Sequence, residues 1–234
     1  MNSFDQIIVE FILRHFSRSY HLFYIVEFMS DDNLLKGGVF AILVWYLWFK
    51  SGSVDPVKRV QLLATLISVF FVMVVTLSLA GIMPFRRRPF LNPEFHFTFL
   101  IPINKVLSTM SSFPSDHAAL FVSLATGFLF VSRKVGVIML LYTFTYIFFP
   151  RLYLGYHYPT DLLAGTLIGA SITTYFNRST AIKNIISKWI IPISKDYPAY
   201  FYSFLFLVTY QIADLFWSSR EIITNVHKLY KHHF

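Results

Sequence analysis

The chain has 234 residues, of which 56% are hydrophobic, 19% aromatic and only 14% charged, with a formal net charge of +8. A soluble globular domain carries about 25% charged residues. This composition therefore leaves too little charge to cover a water-exposed surface, and lipid is the solvent it fits. The basic excess sits in short clusters between apolar runs, which is the pattern of membrane topology and not of a nucleic-acid-binding face; no nucleic-acid partner is expected. There is no cysteine, which excludes disulfides and cysteine-based metal sites.

In chain order, the first thirty residues form the weakest element. Phe4, Ile7, Ile8, Phe11 and Ile12 recur at helical spacing, with Asp5, Glu10 and Arg14 elsewhere on the helix, which suits an amphipathic helix lying in the membrane interface. A second apolar stretch, Leu22–Met29, is too short to span alone, and a membrane-spanning hairpin over this region stays open as an alternative. The segment lacks the basic start and unbroken apolar stretch of a cleaved signal peptide. Six apolar segments follow, namely Leu34–Phe49, Val60–Met83, Ala118–Val131, Val135–Phe149, Leu162–Phe176 and Pro198–Ser218. A spanning helix needs roughly 20 apolar residues, so the third to fifth require helical flanks. The expectation is an all-α, polytopic membrane bundle of about six transmembrane helices behind an N-terminal amphipathic segment. It divides into that segment (1–33), a membrane core (34–176) and a region (177–234) holding a cytoplasmic loop, the last span and the tail. Gly165 and Gly169 form a small-x-x-x-small pair that lets a neighbouring helix approach closely.

Lys and Arg in the short loops set orientation. The first loop carries Lys50, Lys58 and Arg59, the third Arg133 and Lys134, and the fifth Arg178, Lys183, Lys188 and Lys195. By parity these share one side, expected to be cytoplasmic. The second loop then faces outward although it carries Arg86, Arg87 and Arg88 in succession. Three arginines on the disfavoured side call for a local reason, and an anionic ligand supplies one.

Three clusters lie at outward-facing helix ends: Arg86-Arg87-Arg88-Pro89, Phe113-Pro114-Ser115-Asp116-His117, and Arg151 through His157 to Asp161. Arginine presents a planar fork of donors that matches phosphate oxygens. The backbone N–H groups of residues 115–117, at a helix start, point at an anion. Two histidines can divide phosphoryl transfer, one attacking phosphorus and the other protonating the departing oxygen. A carboxylate four residues after a histidine lies on the same helical face and can hold its second ring nitrogen; Asp161 stands so to His157. Taken singly, each signal has a plainer meaning. Arg-rich loops set topology, and Ser-Asp before a helix is often an N-cap. Asp214, inside the last apolar segment, is ionisable where such groups are often functional, yet a place near the helix end would let it reach water.

These clusters resemble the three motifs of the type 2 phosphatidic acid phosphatase (PAP2) superfamily, which includes lipid phosphate phosphatases, bacterial undecaprenyl diphosphatases and vanadium haloperoxidases. The likeness covers roughly residues 60–176. It implies a metal-independent hydrolase with no cofactor, in which His157 is the nucleophile and forms a phosphohistidine, Asp161 orients it and His117 is the general acid. Arg88, Ser115, Arg151 and the Asp116 backbone would hold the phosphate. There are three departures from the family pattern. The lysine seven residues before the motif arginine is Gly81 here, with Arg86 or Arg87 as candidate substitutes for its charge. The second motif carries Asp116 where glycine is usual, as in the undecaprenyl diphosphatase branch, and the third begins Pro150-Arg151 instead of Ser-Arg. The resemblance implies a membrane lipid phosphate as substrate, undecaprenyl diphosphate first, with phosphatidic acid, phosphatidylglycerol phosphate and a lipid A phosphate as rivals. It implies a bacterial inner membrane enzyme of the cell envelope with its site facing the periplasm. A non-catalytic lipid-binding or lipid-transport protein on the same fold is the alternative of another class. Nothing in the sequence specifies an oligomeric state.

Overall fold

The computed structural model describes residues 2–16, 19–51, 55–97 and 108–219, and among them the regular structure is entirely helical. Two N-terminal helices, α1 (Ser3–Phe16) and α2 (Tyr20–Asp31), precede α3 (Leu34–Ser51), whose first turn, Leu34–Gly38, is π-helical. Then come α4 (Pro56–Ile82), α5 (Asp116–Val131), α6 (Arg133–Tyr153, π-helical over Thr143–Phe148), α7 (Pro159–Arg178), a helical stretch α8 over 180–196, and α9 (Pro198–Ala213). Each of the six apolar segments falls within a helix or ends just past one. Three helices, α3, α4 and α6, are long and apolar enough to cross a membrane. Helix α5 is a shorter apolar helix of 16 residues.

Local chemistry sets the helix starts. Asp55 caps α4 by accepting from the Lys58 amide, Ser115 caps α5 by accepting from the Ala118 amide, and Pro56 and Pro159 occupy first-turn positions where no amide donor is needed. Helix α5 is the axis of the bundle. Its residues Ala118 to Phe128 are buried without interruption, as expected of a helix apolar on every side. Phe40 of α3 stacks against it through Phe121 and Phe128, with ring centroids 4.9 and 6.1 Å apart. Phe70, Phe71, Phe144, Leu167, Phe204 and Phe206 point outward and are more than half exposed except Phe71, at 46%, an apolar exterior that soluble monomers avoid.

Small and hydroxyl residues weld α4, α5 and α7 together. A Cβ on Gly165 would sit 2.4 Å from the Ser115 carbonyl oxygen, and one on Gly169 would sit 2.3 Å from that of Ala119. The close approach expected of this pair is what the structure has, with α5 as the neighbour. Below them Ser68 and Ser123 both meet the Thr173 hydroxyl, at 2.9 and 2.5 Å, and Asn177 donates to Thr65 Oγ1 at 3.1 Å. Such bonds satisfy polar groups where water is absent.

The N-terminal helices differ from the sequence expectation in one respect. Helix α1 turns Val9, Ile12 and Asp5 inward, while Phe4, Ile7 and Phe11 face out. The carboxylate is wholly buried because it serves the site described below. At the opposite end of the bundle Lys50, Lys58, Ser132 and Val135 surround one cavity, so the first and third loops share a side, as parity requires.

The Gly169 contact is directly testable. Gly169→Val forces the α5 backbone away, and overpacking of this kind costs about 1–3 kcal/mol. The expected result is a thermal unfolding midpoint in detergent lowered by at least ~2 °C; a midpoint matching wild type would show that α5 and α7 are not packed this closely.

Candidate active site

The three motif-bearing segments meet in one cavity of about 380 Å³, whose lining includes Arg88, Asp116, His117, Arg151, Tyr156 and His157. A larger apolar cleft of about 650 Å³ between α4, α8 and α9 holds none of these groups. The loop after α4 supplies Arg88, the first turn of α5 supplies Asp116 and His117, the last turn of α6 supplies Arg151, and the α6–α7 connection supplies His157. Backbone bonds lock these loops to one another. The Phe90 amide donates to the Gly155 carbonyl at 3.1 Å, Ser112 to Arg86 at 3.0 Å, and Ser115 to Asp161 at 3.1 Å. Gly155 has φ +65°, the left-handed conformation that favours glycine, and a Cβ there would lie 2.3 Å from Phe97.

His157 is 3% exposed. Its Nδ1 lies 2.8 Å from the Ser112 carbonyl oxygen, which can only accept, so Nδ1 carries the proton and Nε2 keeps its lone pair. That Nε2 stands 3.4 Å from Arg88 Nη1, itself fixed by donating to the Tyr156 carbonyl at 2.8 Å. Burial, with the Arg88 charge adding to it, holds the His157 pKa below the ordinary imidazole value, while the nearby Asp161 carboxylate works the other way.

His117 faces the same cavity. Its Nδ1 is 2.8 Å from Asp116 Oδ1, and its Nε2 is 2.6 Å from Arg151 Nη2. With a guanidinium donating to Nε2, the imidazole is neutral and protonated on Nδ1. Arg151 is clamped further by Ser30 Oγ at 2.8 Å, and its guanidinium lies 5.4 Å from the centroid of the Tyr156 ring.

Several expected residues occupy other places. Asp161 Oδ2 is 3.7 Å from His157 Nδ1, too far for a hydrogen bond, and the Ser112 carbonyl takes the imidazole N–H instead. Asp161 accepts from the Tyr158 amide at 2.8 Å and pairs through Oδ1 with Arg86. Arg86 also donates to Asp5 Oδ2 at 2.5 Å and Thr160 Oγ1 at 2.8 Å, and stacks 4.2 Å from the Tyr158 ring. It is a strut joining α1 to α7, outside the cavity. Arg87 is exposed on a shallow outer hollow beside Asn92 and Tyr158. Neither arginine therefore lines the place where a missing lysine charge would act, and a Cβ on Gly81 meets nothing within 4 Å. Ser115 is fully buried as the cap of α5. Asp214 does line the cavity, while its Oδ2 accepts from the Ser218 amide at 2.8 Å.

Asp116, His117 and His157 offer potential metal-ligand atoms within 4.8 Å of one another. The two guanidiniums lie 2.6 and 3.4 Å from the imidazole nitrogens, and fixed cations this close repel a metal ion and attract an oxyanion. The donor set fits phosphate better than a divalent metal.

Several groups at or beside the site were not read from sequence, and four of them bear on its geometry. Ser30 comes from the end of α2 and Lys36 from the first turn of α3, and Lys36, at 4% exposure, lines the cavity. Asp5 and the Ser112 carbonyl are the others. For Lys36 a signal exists, an ionisable side chain within an apolar span; for a backbone carbonyl there is none.

The PAP2 superfamily model matches residues 58–184. Among curated proteins the chain is similar to a bacitracin transport permease protein of Bacillus licheniformis, 36% identical over 31% of this chain and 36% of that one. It is also similar to an undecaprenyl-diphosphatase of Bacillus subtilis, 32% identical over 40% and 45% of the two chains. A lipid A 4'-phosphatase of Bacteroides thetaiotaomicron is 46% identical over 24% and 26%. These matches thus span less than half the length of each relative. No solved structure matches the chain. The family match covers more than half of the chain and includes every motif residue in the cavity. This protein belongs to the PAP2 superfamily.

Proposed function

We propose that the chain is a metal-independent lipid phosphatase that transfers the phosphate of a membrane lipid to His157 and then to water. The observation that carries this reading is the convergence of two buried guanidiniums and two neutral imidazoles on one cavity at a single end of a lipid-compatible bundle. In this reading six helices, α3–α7 and α9, cross the membrane, the basic loops at the far end are cytoplasmic, and the site opens outward from a bacterial inner membrane. Helix α1 lies at the outer interface.

The chemistry follows from the tautomers. The His157 Nε2 lone pair attacks phosphorus, forming an N–P bond as the P–O bond to the lipid breaks. Arg88 and Arg151 neutralise charge on the equatorial oxygens. For His117 to act as general acid its Nε2 must carry a proton, so an arriving phosphate, entering in its singly protonated form, has to draw the Arg151 Nη2 donor away and pass its own proton to the freed Nε2. The imidazole then protonates the departing oxygen, and later accepts a proton from the water that displaces His157 from phosphorus. Asp116 stabilises the His117 imidazolium through Nδ1. Asp161, paired with Arg86, holds the first turn of α7 and supports the His157 loop.

Undecaprenyl diphosphate is the first-choice substrate. Asp116 in the second motif and the Bacillus subtilis relative support it, while the Bacteroides relative keeps a lipid A phosphate as rival. A non-catalytic lipid-binding or lipid-transport role on the same fold is the second reading, and one relative is named as a bacitracin transport permease.

Purified protein in EDTA is expected to release phosphate from undecaprenyl diphosphate faster than from phosphatidic acid, phosphatidylglycerol phosphate or lipid A. His157→Ala should reduce release to the uncatalysed background, and His117→Ala should slow kcat by about 10²–10⁴-fold. Equal release by wild type and His157→Ala on every lipid would end the catalytic reading, and lipid movement in liposomes without release would favour transport. A second expectation concerns pH. His157 attacks only when neutral, so kcat/KM falls as pH drops through its lowered pKa, and the acid limb should lie below ~6.5. A limb at or above that value would contradict a buried neutral nucleophile. Third, Arg86→Met strips the cation from the buried Asp5 and Asp161, which costs about 3–5 kcal/mol where a buried pair is broken. It should lower the unfolding midpoint and kcat together, while Arg87→Ala should change neither; identical behaviour of the two variants would refute the strut.

A further inference from the structure

Position 81, where the family places a motif lysine, holds an exposed glycine, and the neighbouring arginines are spent elsewhere or face out. The cavity nevertheless contains a lysine from a different part of the chain. We propose that Lys36, on the π-helical turn opening α3, is a third cation of the phosphate site and contacts the substrate phosphate alongside Arg88 and Arg151. The inference rests on the phosphatase reading for the identity of the anion, and on geometry for its place. Residue 36 lies outside the stretch matched by the family, 58–184, so the family pattern does not assign it.

Three observations carry it. Lys36 lines the same cavity as Arg88, His117, Arg151 and His157. Its ammonium donates to the Ser30 carbonyl, while the Ser30 hydroxyl accepts from Arg151 Nη1 at 2.8 Å, so a single serine at the end of α2 holds both cations. Burial also separates the charges lining the cavity. Lys36, Arg88 and Arg151 are 4%, 6% and 7% exposed, whereas Asp31 is exposed and Glu27, Asp116 and Asp214 are half-buried. The cations thus form the floor and the carboxylates the rim. An oxyanion that sheds water to enter meets positive charge where the dielectric is lowest. The turn that presents the lysine is itself fixed, since a Cβ on Gly37 would lie 2.6 Å from the Ala213 Cα of α9. A π-helical turn re-aims a side chain and is frequent at functional sites.

The test uses the full chain in detergent and orthovanadate as the phosphate mimic, with binding measured by titration calorimetry and lipid hydrolysis in parallel. Lys36→Met should weaken vanadate binding about tenfold or more, a loss of ~1.4 kcal/mol, and raise KM for the lipid. Lys36→Arg should keep most of the affinity. A folded Lys36→Met that binds vanadate as wild type does, or an arginine variant as weak as the methionine one, would overturn the proposal. Should Lys36→Met fail to fold, reductive methylation of wild type read by mass spectrometry decides instead. Vanadate should protect Lys36 from modification, and unchanged labelling would refute contact. If wild type hydrolyses no lipid, the phosphatase reading falls by itself, and vanadate binding still judges Lys36.

Discussion

The site depends on how closely the N-terminal ends of α5 and α7 are brought together. The Ser115 amide donates to the Asp161 carbonyl at 3.1 Å, and the absence of a side chain at Gly165 lets the Ser115 carbonyl pack against α7. Two helix starts in backbone contact carry their first-turn residues with them, so His117 and Asp161 are placed by main-chain geometry before any side chain chooses a rotamer. The small residues at 165 and 169, the hydroxyl seam at Thr173 and the cap at Ser115 thus serve one end, a rigid platform for two imidazoles. In lipid, where apolar burial contributes little to helix association, such close contacts and internal hydrogen bonds take its place.

From that platform the charged groups fall into two sets with different duties. Arg86, Asp5, Thr160 and Asp161 form a satisfied network behind the site, in which every carboxylate oxygen meets a donor. Arg88 and Arg151 instead present nitrogen donors to the imidazoles that face the cavity. An arginine paired with buried carboxylates behind the site is a structural element, whereas Arg88 and Arg151 direct nitrogen donors at imidazoles on the cavity wall, where an entering anion can meet the same guanidiniums. This distinction, and not proximity in sequence, separates Arg86 from Arg88.

The sequence made the bundle legible because lipid imposes a simple rule: apolar runs must be helical, and all six are. The motif residues were legible too, since Arg88, His117, Arg151 and His157 sit beside helix ends whose parity puts them on one face. Partner choice was not. The i,i+4 spacing of His157 and Asp161 suggests a hydrogen bond, but residue 157 precedes α7 and Asp161 is turned to the Tyr158 amide as a first-turn acceptor, leaving 3.7 Å to the imidazole. Asp5 reads as the polar face of an amphipathic helix until the strut that buries it is seen. Contacts that span 81 or 155 residues, such as Arg86 and Thr160 to Asp5, leave no periodic trace.

Under the proposed phosphatase reading, the bond between Arg151 and His117 gives the resting arrangement a purpose. With Arg151 donating to Nε2 at 2.6 Å, His117 has no proton on the nitrogen facing the cavity and cannot act as an acid. A phosphate competes for the same guanidinium as an anionic acceptor whose oxygens match its planar fork, which a single neutral imidazole nitrogen does not. Binding thus frees Nε2 at the moment a nearby anion raises its basicity, with Asp116 already placed on Nδ1 to stabilise the imidazolium. On the proposed mechanism the ligand itself creates the acid that serves it, and an empty site is held in the protonation state suited to the proposed nucleophile alone.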